Sequence, residues 1–241
     1  MKTRMVPFTR FFETTRVRRV NRKSVAALPD GRTCLALCRS ELGSELWVTG
    51  PRTRAKFKPP LDFELVVLPL KPGWASALLN VPAHELTDRV MPLEALWGRD
   101  ALTLCDSMES TTSLEHALEV AALTLFTRAL RSRESASARL VRQATHRIET
   151  RHQRLDDLAR ELGVTARHLR RAFLEHVGVG PRDFARSTRL QRVLALSSAS
   201  RDLGRVALDA GYYDSSHFSA DFRELVGLTP SEFFASADQR A

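Results

Sequence analysis

LARELGVTARHLRRAF, residues 158–173, decides the fold of this chain, and its pattern returns in ALDAGYYDSSHFS, residues 207–219. Ala159, Gly163, Leu169, Phe173, Gly178, Pro181 and Phe184 recur as Ala207, Gly211, Phe218, Phe222, Gly227, Pro230 and Phe233, offset by 48 residues before the turn and 49 after it. The extra residue falls in the turn, where insertions cost least. In each copy an apolar stripe marks a short helix: Leu155, Leu158, Ala159 and Leu162, then Leu203, Val206, Ala207 and Ala210. Gly163 and Gly211 suit the left-handed conformation that ends a helix. Thr165 can cap the helix that follows, as can Asp214 or Ser215 in the second copy. Helix, glycine turn, helix is the grammar of a helix-turn-helix unit.

The second helix of each unit buries one face and presents the other. With Leu169, Ala172 and Phe173 inward, Arg167, Arg170 and Arg171 are left outward near the helix start, as major-groove readout of guanine requires. An isolated Arg-rich helix is as often a plain solvated face. The repeat, which sets a helix in the same context twice, weighs against that reading.

Over about the last 100 residues the sequence resembles the AraC/XylS family of bacterial transcription regulators, through the two stretches quoted above and Gly227-Leu228-Thr229-Pro230. The resemblance implies two helix-turn-helix subdomains joined by a rigid helix, about Pro181–Leu196, that present recognition helices to adjacent major grooves. It places the first DNA-binding face at Thr165, Ala166, Arg167, His168, Arg170 and Arg171. The second falls at Ser215, Ser216, His217, Ser219 and Ala220. The family commonly has Arg where this chain has Ala220. His168 and His217 hold equivalent places, each before an apolar anchor, which favours a structural or phosphate-contacting role over base reading. Leu28-Pro29-Asp30-Gly31, Lys71-Pro72-Gly73-Trp74, residues 81–88 and residues 93–98 resemble the β-rich sensor domain of a less studied branch of the family.

The remaining sequence sets the domain plan. Apolar runs at 33–39, 45–49 and 62–70, separated by turn signals, predict strands. Residues 74–80, 83–88 and 93–108 read as helices that close the domain. From Ser113, Leu114, Ala117, Leu118, Ala121, Ala122, Leu125 and Leu130 read as one face of a long helix, which either links or dimerises the chain or packs on its own domain. The expected fold is α+β and two-domain. Residues 1–110 form a β-rich regulatory domain, a small barrel among its candidate forms, with trailing helices. Residues 111–136 form the linker or dimerisation helix, and 137–241 the all-α double helix-turn-helix domain.

Thirty-seven basic against 28 acidic residues give a net charge of +9, which favours a polyanionic partner. The charge is uneven along the DNA-binding half: residues 137–193 hold 13 Arg against six acids (+7), residues 194–241 four against seven (−3). Expected partners are double-stranded promoter or operator DNA, with a small-molecule effector, RNA polymerase (for an activator) and a second copy of the chain as candidates. No apolar run reaches the roughly 18–20 residues of a membrane span, so the expectation is a cytoplasmic protein with no membrane partner. Neither cofactor nor metal is expected, because His84, His116, His146, His152 and His176 lack ligand-spaced partners. Cys34 and Cys38, roughly 13 Å apart if they share a strand at about 3.3 Å per residue, cannot pair or chelate one ion. The chain is expected to be no enzyme. The rival is a DNA-binding domain fused to an enzyme or to a methyl-accepting repair activity, which needs an activated Cys34, Cys38 or Cys105. Trp47 and Trp74 are the candidate effector-binding residues, with core packing as the commoner role for a tryptophan; Trp97 reads the same way.

Overall fold

The computed structural model describes residues 16–18, 25–41, 43–58, 64–111, 113–132, 134–151, 153–197, 200 and 202–238. Residues 1–15, Asp62 and Phe63 of the expected third strand, His152, the last three residues, and the Leu114 and Leu118 side chains lie outside them.

Among the described residues seven strands are formed: β1 Arg16–Arg18, β2 Val25–Ala27, β3 Cys34–Ser40, β4 Gly43–Thr49, β5 Lys56–Lys58, β6 Glu64–Pro69 and, after two short helices, β7 Val90–Pro92. Five pair antiparallel in the order β1-β6-β3-β4-β7, while β2 and β5 form a separate two-stranded ribbon. The register stacks Leu35 opposite Val48 and Leu68, and Leu37 opposite Leu46 and Val66. Period-two alternation thus sends one apolar set into a single core. β7 was not legible in the sequence. It is three residues long, ends in Pro92 and pairs at the sheet edge, where a missing N–H is tolerated.

Helices α1 Ala75–Leu79, a 3-10 turn at Ala83–Leu86, α2 Glu94–Trp97, α3 Arg99–Glu109 and α4 Leu114–Arg131 cover this sheet. The helix expected at 93–108 is two helices, because Gly98 adopts φ 55° and ψ −132°, a conformation that interrupts a helix and that only glycine takes readily. α4 corresponds to the expected linker or dimerisation segment. Its Ala117, Ala121, Leu125 and Ala129 are buried in the core of the β-rich domain, whereas Leu123 and Leu130 are exposed. Leu130 therefore leaves the expected stripe. Five residues after Leu125 it is turned about 140° around the axis, and Ala129, four residues on, continues the buried face.

The remaining helices are α5 Ala136–Thr150, α6 Leu155–Glu161, α7 Ala166–His176, α8 Pro181–Leu196, α9 Leu203–Ala210, α10 Ser215–Val226 and α11 Pro230–Asp238. They enclose two cores. Val141, Ala144, Leu158, Leu169, Phe173 and Phe184 centre the first; Leu190, Val193, Val206, Ala207, Phe218 and Phe222 centre the second. α8 gives Phe184 to one core and Leu190 and Val193 to the other, so one continuous helix fixes the two units against each other.

Candidate nucleic-acid interface

The two units share their backbone down to individual hydrogen bonds. In the first turn Gly163 N–H donates to Arg160 O (3.1 Å) and Val164 N–H to Ala159 O (3.0 Å). In the second, Gly211 N–H donates to Leu208 O and Tyr212 N–H to Ala207 O, both at 3.0 Å. Gly163 and Gly211 have φ of +68° and +96°, where a side chain would be strained. Thr165 Oγ1 then accepts from His168 N–H (3.2 Å) and caps α7, and Asp214 Oδ1 accepts from His217 N–H (2.7 Å) and caps α10. Asp214, not Ser215, is the second cap. The inserted residue is Tyr213, 87% exposed in the turn.

Leu169, Ala172, Phe173 and His176 bury one side of α7. Arg167, Arg170 and Arg171 are exposed on the other, and among the described residues none of the three is in an ion pair. Exposed Leu174 completes this face at spacings of three and four residues. Thr165 lies exposed at its entry, with Ala166 and His168 partly covered. On α10 the equivalent face is Ser216, Ser219, Ala220 and Arg223, with Ser215 and His217 beside it, all exposed. The His217 ring packs edge-on against Tyr212, 5.4 Å between centroids. Arg223 was missed by sequence reasoning. It stands where the first unit has Leu174, and extending the 49-residue offset one helical turn further would have found it.

Behind α10 a buried ionic cluster sets its angle to α8. Asp221, 6% exposed, accepts from Arg186 Nε (2.5 Å) and Tyr212 Oη (3.0 Å), and Arg186 also pairs with Glu224 (2.8 Å). Burial alone would lower Arg186, but its hydrogen bonds to Glu224 and Asp221 outweigh this and raise its pKa above the usual arginine value. Burial, with Asp221 adjacent, likewise pushes the Tyr212 phenol up. Arg186 therefore stays cationic and Tyr212 neutral across the physiological range.

Behind α7 the neighbour is the β-rich domain. His176, 5% exposed at the end of α7, meets Ser76 Oγ of α1 through Nδ1 (2.6 Å) and Ser137 Oγ of α5 through Nε2 (2.8 Å). Thr87 Oγ1 donates to Gly178 O at 2.7 Å. Gly178 has φ +97°, and a Cβ there would stand 2.7 Å from Ala83 O. Arg142 lies over the Trp74 ring at 4.5 Å, and Arg32 pairs with Glu149 at 2.9 Å. None of this was visible in the sequence, since the partners lie 39 to 117 residues apart and no local pattern marks them.

The candidate effector residues are not brought together. Trp74 is buried in the core beside the domain boundary; Trp47 lies on the sheet face opposite Leu46 and Val48, its Nε1–H bonded to Glu45. Trp97 is core, with Arg128 over its ring. Burial raises the pKa of the Cys34 and Cys105 thiols, the reverse of what activates a nucleophile. Among the described residues no group of three or more His, Cys, Asp or Glu could hold a metal ion, and no helix is long and apolar enough to cross a membrane.

The chain thus combines a β-rich domain with two helix-turn-helix units on a shared helix. Residues 158–236 match the family model described as a helix-turn-helix domain. The uncharacterized HTH-type transcriptional regulator YidL of Escherichia coli K12 is 31% identical over 105 residues, covering 41% of this chain and 35% of that protein. The HTH-type transcriptional regulator GlxA of Rhizobium meliloti is 38% identical over 74 residues, 30% of this chain and 23% of that one. The chain thus spans about a third or less of the length of these relatives. ToxT from Vibrio cholerae, 15% identical, shares the two-domain fold with a TM-score of 0.50, over 93% of this chain and 98% of that one. Residues 158–236 are thus similar to the helix-turn-helix domains of these regulators, in line with the AraC/XylS resemblance of the sequence.

Proposed function

We propose that this protein is a sequence-specific DNA-binding transcription regulator whose first recognition helix is controlled through the β-rich domain. The observation that carries the reading is the double use of α7. One face exposes Arg167, Arg170 and Arg171, while its last turn is fastened to the β-rich domain by His176 and Ser76. Base readout depends on where a helix sits to within a hydrogen bond's length, so a shift of α1 or of the segment at Thr87 is felt at the arginines. On this reading the described residues up to 131 form the regulatory part and those from 135 onward the DNA-binding part. Asymmetric reading follows from the side chains: three guanidiniums in the first unit, hydroxyls and Arg223 in the second.

ToxT has been solved bound to (E)-4-(8-methylnaphthalen-1-yl)but-3-enoic acid. We extend to this chain only the class of signal, a small-molecule effector acting on the β-rich domain.

Selection from random-sequence duplexes at fixed salt tests the first half of the reading. Two preferred half-sites about one helical turn, roughly 34 Å, apart are expected; no salt-sensitive affinity for any duplex overturns it. Ser76→Ala tests the second half, because it removes the β-rich domain's partner of His176 while leaving Ser137 and the rest of the DNA-binding domain unaltered. The operator affinity of this variant is expected to change, and an unchanged affinity rejects control along this path.

A further inference from the structure

A cavity of about 80 Å³ lies between the end of α5 and the middle of α8, lined by Ile148, Arg151, Gln153, Ala185, Arg189 and Arg192. Its polar lining consists of three guanidiniums and one amide, with no carboxylate. The Gln153 side-chain nitrogen and Arg189 Nε are both buried and have no hydrogen-bond partner. The nearest opposing charges are already engaged. Asp221 is held by Arg186 and Tyr212 and stands 3.9 Å from Arg189, and Glu149 pairs with Arg32. Arg192 caps the carbonyls of Ile148 and Glu149 at the end of α5. Burial lowers the Arg192 pKa; Glu149 opposes that and the neighbouring charge of Arg189 reinforces it.

Water answers such a lining poorly, since each water also needs acceptors for its own protons. An oxyanion accepts from every donor present, and guanidiniums match its geometry. We propose that this cavity binds a phosphate oxyanion, supplied in the complex by the DNA backbone between the two half-sites. Arg151 and Gln153 belong to the segment that leads into α6, the first helix of the first unit, and in this motif that helix crosses the backbone. The choice of DNA as the source rests on the function proposed above; the chemistry of the cavity does not. A phosphate here ties α5, α8 and the approach to α6 together at the junction of the two units.

The test uses the full chain. Its melting temperature is followed as inorganic phosphate replaces chloride at constant ionic strength, for the wild type and for Gln153→Glu. The wild-type midpoint is expected to rise and saturate. Gln153→Glu supplies the anion from within, so it is expected to melt higher than wild type in chloride and to lose the phosphate response. Should that variant not fold, exposed Arg151→Ala takes its place and is expected to weaken the response. In the second arm, the slope of log affinity for the selected operator against log salt is expected to shrink by about one unit in the variant. A phosphate response without a change in slope overturns DNA as the source and leaves a free phosphate compound as the ligand. No phosphate response and no change in slope overturn the site altogether. If no duplex binds at all, the first arm still decides the chemistry of the cavity separately from the DNA-binding reading.

Discussion

The first and second helix-turn-helix units have the same turn hydrogen bonds, the same kind of cap and the same buried aromatic anchor, yet they are held from behind by different means. α7 ends against another domain, through His176, Gly178 and Ser76. α10 rests on α8 through the Asp221, Arg186 and Tyr212 cluster. The β-rich domain reaches the second unit mainly by packing of Leu28 and Ala55 and by the Ala55 N–H to Leu225 O bond (2.7 Å). A repeated backbone, then, does not imply a repeated role. What differs is the outward chemistry and the kind of inward attachment: the last turn of α7 meets the β-rich domain through the His176 and Ser76 side chains, that of α10 through the backbone bond from Ala55 to Leu225.

The largest expected effect tests the sameness. Phe173 and Phe222 are equivalent and fully buried. Phe173→Ala and Phe222→Ala should each cost about 3–5 kcal/mol in denaturant unfolding. A cost below about 1 kcal/mol for either would mean that the two cores are not equivalent.

Operator binding tests the difference, with an effect one step smaller. Arg170→Ala should weaken binding by about 1–3 kcal/mol and relax the preference at one base pair. The combined change of Ser215, Ser216 and Ser219 to Ala should cost less, because short hydroxyls reach bases only closely or through water, leaving shape to carry more of the second half-site. Arg223→Ala should exceed the triple serine variant. If the triple variant loses more affinity than Arg170→Ala at the same salt, the asymmetry is gone.

The smallest effect is a change of slope with pH at the α7 attachment. Burial lowers the His176 pKa below 6.5, with Glu175 opposing and Arg142 assisting. The unfolded chain therefore takes up this proton first as pH falls. The stability that neutral His176 contributes is complete above about 6.5 and is lost as pH drops through the lower folded value. His176→Gln should flatten the dependence of the melting temperature on pH below 6.5. An unchanged slope would remove His176 from the attachment's energetics.

How much could be read beforehand follows from the range of each interaction. The repeat, both glycine stops, the Thr165 cap and the exposed arginines are local. They depend on helical period, on a positive φ that only glycine takes readily, and on hydrogen bonds three residues long, so sequence alone determined them. Strands β3 and β4 were legible for the same reason, as apolar runs of consecutive residues at 33–39 and 45–49, whereas their pairing was not. Tertiary structure decided the rest. β7 exists because β4 offers it an edge, and Trp74 lies under Arg142 because α5 passes over it. His176 became an attachment point only when Ser76, a hundred residues earlier in the chain, was folded against it. Such contacts leave no periodic trace, because their free energy comes from removing two distant groups from water together, and neither group's neighbours in sequence record where the other will be.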